Sequence, residues 1–159
     1  MPSKNFELVT TWTLAAPPIA VWDVLIKPED WPSWWRAVEK VELLKAGDAS
    51  GLHAYRRFTW RTALPYAISF NMRTVLIEPL ALIEGRADGE LSGTGRWTLE
   101  AAGSGTQVRY DWIVEVTKPW MRSLAPILRP VFAWNHNKVM EWGREGITRK
   151  LASNPGGAA

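Results

Sequence analysis

Cysteine is absent from the 159 residues. That excludes disulfides, thiolate nucleophiles and Cys-bearing zinc or iron–sulfur centres. Histidine is nearly as scarce, with His53 and His136 far apart in the chain. No carboxylate–histidine spacing of the metal-binding kind accompanies them, so neither a metal nor a cofactor is expected. Long apolar runs are also missing: "WMRSLAPILRPVFAW" is broken by Arg122, Arg129 and two prolines, short of the roughly 20 apolar residues of a membrane span. The N-terminal "MPSKNFELVTT" has no apolar core of a signal peptide, so a soluble, cytoplasmic protein is expected. Basic runs are lacking too. Arg56, Arg57 and Arg61 form the densest patch of a chain with formal charge +3, and strand alternation divides them between faces, which argues against nucleic acid as a partner. There is no G-x-S-x-G elbow and no P-loop. "GTGRW" and "GSGT" lead into strands rather than helices, so they do not cradle phosphate.

What the chain has in excess is tryptophan: eleven, against four Phe and three Tyr. So many large rings fit a wide apolar interior better than a small tight core. The length suits one domain, assigned to residues 1–152, with a flexible tail "SNPGGAA" over 153–159.

Alternation predicts a first strand over Phe6–Leu14. "PIAVWDVLI" predicts a helix with Ile19, Trp22 and Ile26 on its inner face, ending before Pro28. "PEDWPSWW" predicts a second short helix with Glu29 and Asp30 in its first turn, where they complement the dipole. Six further strands separated by turn signals are predicted over Val38–Lys45, Leu52–Arg61, Tyr66–Ile77, Leu82–Ala87, Leu91–Glu100 and Thr106–Val116. Their short connections make them antiparallel neighbours. Pro119, Pro126 and Pro130 are expected to interrupt any helix in "TKPWMRSLAPILRP". Beyond Pro130 a helix runs to about Leu151. Phe132, His136, Met140, Gly143, Ile147 and Leu151 line one face, and Lys138, Glu141, Glu145 and Arg149 the other.

This order resembles the helix-grip layout of the START-like superfamily, also called SRPBCC. "LAAPPIAVWDVLIKPEDWPSWW" is similar to that family's first helices. "GELSGTGRWTLEAAGSGTQVRYDWIVEVTKPWMRSLAPILRPVFAWNHNKVMEWGREGI" resembles the second half of its polyketide cyclase/dehydrase and lipid-transport branch. The resemblance implies an α+β fold: a seven-stranded curved antiparallel sheet wrapped around the C-terminal helix, with two short helices between strands 1 and 2. It also implies a deep cavity for a hydrophobic small molecule, a lipid or polyketide-like aromatic. Such proteins share no catalytic set, so no catalytic residue carries over.

On the inward faces of the strands, Phe58, Trp60, Phe70, Met72, Trp97, Tyr110 and Trp112 are expected to line that cavity; Phe132, Asn135, His136 and Met140 join them from the helix. Core filling is the bland reading for any single ring. Gly93 and Gly95 on a strand, and Gly143 and Gly146 on the helix, are expected to leave space that the rings do not fill. His136 should face inward and be held neutral by burial. A hydrogen bond to a backbone carbonyl or core side chain ranks first for it, a ligand contact second, and proton transfer in a cyclase or dehydratase third. In that last reading Arg86, Tyr110 or Asn135 would hold a carbonyl, and a strand carboxylate such as Glu84 would orient the imidazole. Glu84, Arg86 and Asp88 alternate on one face, and the outward orientation is favoured because isolated buried charges are costly; Arg73 is also read as outward. His53 is expected to be exposed near a turn. Trp31 is read as packing on the sheet end. Adjacent Trp34 and Trp35 are expected not to face the core together; for them packing on the sheet end stands level with a gate or rim, formed with Trp120 and Met121, for transient membrane contact. Oligomeric state is left open.

Overall fold

The computed structural model describes residues 5–65 and 67–153. Residues 1–4, Tyr66 at the expected start of a strand, and 154–159 of the expected tail lie outside the described residues. Strand β1 spans Asn5–Leu14, α1 Pro18–Leu25, a 3₁₀ turn Pro28–Asp30 and α2 Trp31–Trp34. The sheet continues with β2 Val38–Lys45, β3 Tyr55–Arg61, β4 Ala67–Glu78, β5 Leu82–Gly89, β6 Leu91–Ala102 and β7 Gly105–Val116, and the chain ends in α3 Pro119–Ser123 and α4 Ala125–Ala152. The seven strands form one antiparallel sheet of order β1-β7-β6-β5-β4-β3-β2. This is the helix-grip architecture. Every pairing but β1–β7 joins consecutive strands, as short turns require.

Register aims the rings. The β6–β7 pair runs without a shift and sets Trp97 opposite Tyr110 and Gly95 opposite Trp112. On the other side of β7, Thr10 lies opposite Tyr110 and Leu8 opposite Trp112. Register shifts in β2–β3 and β4–β5 add local bend and twist to the sheet. Two apolar clusters result. Trp12, Trp31, Trp34, Trp35 and Trp97 gather with Val139, Met140 and Ile147 of α4. Phe6, Phe70, Trp112 and Val114 gather with Phe132.

Three local expectations are corrected. The inner face of α1 is Ala20, Val21, Val24 and Leu25, with Ile19 exposed; eight residues carry too little periodicity to fix a face. β3 starts at Tyr55 rather than Leu52, because a turn occupies the preceding residues. In that turn Asp48 accepts hydrogen bonds from the main-chain N–H groups of Ser50 and Leu52. Gly51 and exposed His53 take positive φ there. The prolines do not delay the last helix: Pro126 sits in the first turn of α4, where its missing N–H costs nothing, and Pro130 lies inside the helix. α4 ends at Ala152, and Ser153 caps it by donating its N–H to the Arg149 carbonyl. Among the described residues no helix is long and apolar enough to cross a membrane.

Candidate functional site

The sheet and the first half of α4 do not close on each other. Between them lies a cavity of about 140 Å³. Trp60, Phe70, Trp97, Tyr110 and Trp112 line it from the strands, and Phe132, Asn135, His136 and Met140 from the helix; Asn135 does so although it lies about 100° around the helix from His136. Phe58 and Met72 instead line a second hollow of about 80 Å³, nearer the 3₁₀ turn. Trp31, Trp60, Phe70, Trp97 and Tyr110 border both spaces. These shared rings form a partition where the two spaces meet. Within that partition Trp97 and Tyr110 lie with centroids 4.2 Å apart, and Trp60 stacks on Phe70 at 6.3 Å.

Sequence reasoning missed part of the wall. Phe6 and Leu8 of β1, Trp31 and Trp35, and Met121 of α3 also line the larger chamber. The alternation Phe6, Leu8, Thr10, Trp12 carried the signal for β1. Trp31 and Trp35 had none, because their placement depends on where α2 ends.

Of the four glycines expected to leave space, Gly93, Gly143 and Gly146 border neither chamber, while Gly95 borders the second. A Cβ on Gly95 would run into Tyr110 Oη and the Trp112 ring, and one on Gly143 would lie 2.6 Å from Trp35 Cε2 and 2.9 Å from Trp12 Cζ2. On Gly146 it would strike the Trp34 carbonyl, and on Gly93 the backbone of Ile113. These positions are notches that rings and backbone fill. They pack the second half of α4 solidly, and the void stays beside the first half.

Trp34 and Trp35 are both buried, contrary to expectation, at 7% and 1% exposure. α2 ends at Trp34, and Trp35 takes extended φ and ψ of −107° and 101°, so helical spacing no longer relates the two side chains. Their rings stack with centroids 5.4 Å apart. Neither forms a rim. Trp120 is exposed, whereas Met121 turns inward to the cavity.

His136 stands against the cavity parallel to Tyr110, at 6.5 Å between ring centroids and 10° between planes. Among the described residues neither its buried Nδ1 nor its buried Nε2 has a well-formed hydrogen bond. The bond to a backbone carbonyl or core side chain ranked first for it is not made, although buried imidazoles usually find a partner; exposed Asn137, its neighbour in the chain, interacts weakly with the ring. Burial holds its pKa down at about 4, against a lesser upward pull from the Asn137 side chain, so the ring is neutral near pH 7. Burial likewise pushes the Tyr110 phenol far above its ordinary pKa. The indole N–H groups of Trp31 and Trp60, two residues of the partition, are also buried without partners. Asn135 has a structural bond: its Oδ1 accepts the Ala63 N–H at 2.9 Å.

Among the described residues no charged side chain lines the larger chamber. Glu84 lies on the outer face, paired with Arg96 at 2.9 Å, and cannot orient His136. Arg86 and Asp88 also point outward, Asp88 accepting the Tyr55 hydroxyl at 2.9 Å; Arg86 is therefore unable to hold a carbonyl in the cavity. Arg73 lies outside, over the Tyr55 ring. Arg56 borders the second chamber, bonded to Glu29 at 2.7 Å. Among the described residues no group of three or more His, Asp or Glu gathers in a way that could hold a metal.

Comparison with known proteins agrees with this geometry. Among solved structures, a START superfamily protein from Mycobacterium smegmatis superposes with a TM-score of 0.76 at 13% identity, over 92% of this chain and 97% of that one. The Zhui aromatase/cyclase from a Streptomyces species gives 0.75 at 16%, over 94% and 95%. A protein from Thermus thermophilus gives 0.74 at 19%, over 91% and 99%. At such identities the likeness is one of fold. No curated protein matches the sequence. The family described as polyketide cyclase/dehydrase and lipid transport matches residues 5–152, and the chain belongs to that family, within the START-like superfamily.

Proposed function

We propose that this protein binds an uncharged, ring-bearing small molecule in the chamber between the sheet and α4, as a carrier rather than a catalyst. The observation that carries the reading is the combination of a lining free of charge with two unpartnered nitrogens on His136. Leaving buried polar atoms without partners costs about 1–3 kcal/mol each. A ligand oxygen or hydroxyl meeting His136 recovers that energy, while the surrounding rings take up a flat apolar body. A carboxylate or phosphate head would find no compensating charge in this chamber and is disfavoured. The volume favours one or two rings, since an apolar cavity of roughly 150 Å³ accepts benzene.

The alternative reading is cyclase- or dehydratase-type chemistry of the kind the family description names, with His136 as the proton-transfer group. Its depressed pKa makes it a weak base near neutral pH, and no carboxylate in the larger chamber orients it. Titration with 1-naphthol and 1-naphthoate tests the carrier reading. The neutral phenol raises the melting temperature and quenches tryptophan emission, the carboxylate does neither, and His136→Phe weakens the phenol. Failure of every neutral one- and two-ring compound to shift melting overturns it. So does turnover of an aromatic polyketide that His136→Ala abolishes while binding persists.

A further inference from the structure

The first half of α4 is apolar on two opposite sides. Phe132, His136 and Met140 face the cavity. By helix geometry Ile127, Val131 and Trp134 lie within about 60° of one another, on the side away from it. Those three are exposed, Ile127 at 74% and Trp134 at 51%, and exposed Trp120 and Leu124 precede them in the chain. So many large apolar side chains along one short stretch are unusual for a surface left in water. In the second half of α4 the same outer stripe turns charged, with Glu141, Glu145 and Arg149 exposed. The change falls at Lys138, which continues the stripe and is also exposed. Charge follows the same division. Between Glu115 and Glu141 the sequence has four basic residues, Lys118, Arg122, Arg129 and Lys138, and no acidic one.

We propose that the outer face of α3 and of the first half of α4 is a docking surface for an anionic lipid bilayer. An exposed apolar stripe with tryptophans and flanking basic residues is the pattern of a helix lying in the bilayer interface. A protein partner fits less well, because lysine is depleted at protein interfaces. Arg129 is turned to β1, over the Phe6 ring and donating to the Asn5 carbonyl, and two of the other cations hold exposed carboxylates, Lys118 with Glu90 at 3.2 Å and Arg122 with Glu115 at 3.3 Å. Such surface pairs are weak and exchange readily for lipid phosphates. Because the opposite side of α4 walls the cavity, docking sets that wall against the lipid, a source of apolar ligands. The surface itself is independent of the binding reading, which supplies only its purpose.

Flotation of the full chain with vesicles of phosphatidylcholine alone, and of phosphatidylcholine and phosphatidylserine in equal parts, tests it without any added ligand. Binding is expected on the anionic vesicles, weakened by salt. It should fall by roughly tenfold or more in Ile127→Glu/Val131→Glu, which removes apolar contact, and by roughly fivefold or more in Lys138→Glu. Both variants alter exposed side chains, and unchanged melting and naphthol titration show that fold and cavity persist. Absence of binding at low salt overturns the proposal, as does binding indifferent to these substitutions. Sedimentation of the chain as a dimer that Val131→Glu dissociates also overturns it, assigning the face to a second copy.

Discussion

Trp35 donates its indole N–H to the main-chain carbonyl of Val139 at 2.8 Å, tying the segment after α2 to the middle of α4. Around this bond Trp35 meets Trp12, Trp31, Trp60 and Trp97 ring to ring. It is thus the point where the short helices, the sheet and the long helix meet. Trp35→Phe keeps an aromatic ring but loses the donor and part of the volume. A loss of about 2–4 kcal/mol in urea unfolding is expected, with the cooperative transition retained. A change within experimental error would mean the bond contributes nothing net.

Gly143 reports on how tightly this meeting point is packed. In an exposed helix Gly→Ala stabilises by about 1 kcal/mol. Here the new methyl would press on two buried indoles, so Gly143→Ala should destabilise by roughly 1–3 kcal/mol. Gly146→Ala, facing main chain rather than a side chain, should cost more. Thermal melts of the two variants measure both the sign and the order.

The buried imidazole makes stability depend on pH. His136 has a pKa of about 4 folded, against about 6.5 for an unperturbed imidazole, so between these values the unfolded chain binds the extra proton. Stability is therefore full above about pH 6.5 and falls as pH drops toward 4, by roughly 2 kcal/mol between pH 7 and 5. Urea unfolding at those two pH values should show this loss in the native chain. It should be absent in His136→Phe.

The ring partition sets ligand size. Phe70 borders both chambers and packs on Phe58, Trp60 and Trp112. Phe70→Ala should join the two spaces, at a stability cost of about 3–5 kcal/mol. Fluorescence titration should show preference moving from one-ring toward larger neutral ligands. An unchanged preference would mean that the two spaces are not used together.

The antiparallel pairing of β2 through β7 was legible from their short connections, and the inward faces of β6 and β7 from alternation over twelve residues; the place of β1 beside β7 was not. The placing of Trp97, Tyr110 and Trp112 followed from that alternation directly. His136 could be turned inward from its spacing to Phe132 and Met140. That its nitrogens lack partners could not be read, because any partner would come from segments remote in the chain. Trp34 and Trp35 were misread for a related reason: one residue decides whether a helix continues, and at Trp35 tertiary packing makes that decision. The two chambers were invisible because ring rotamers, rather than residue types, determine where the partition falls.

The seam between β1 and β7 has a consequence for how the molecule is made. During synthesis β1 emerges first and waits, unpaired along that edge, until the seventh strand has left the ribosome, with α4 later still. Meanwhile the tryptophan-rich strands have no long helix to cover them. Closure of such distant partners is slow, so the nascent chain passes through a sticky, half-covered stage where holding chaperones have most to shield.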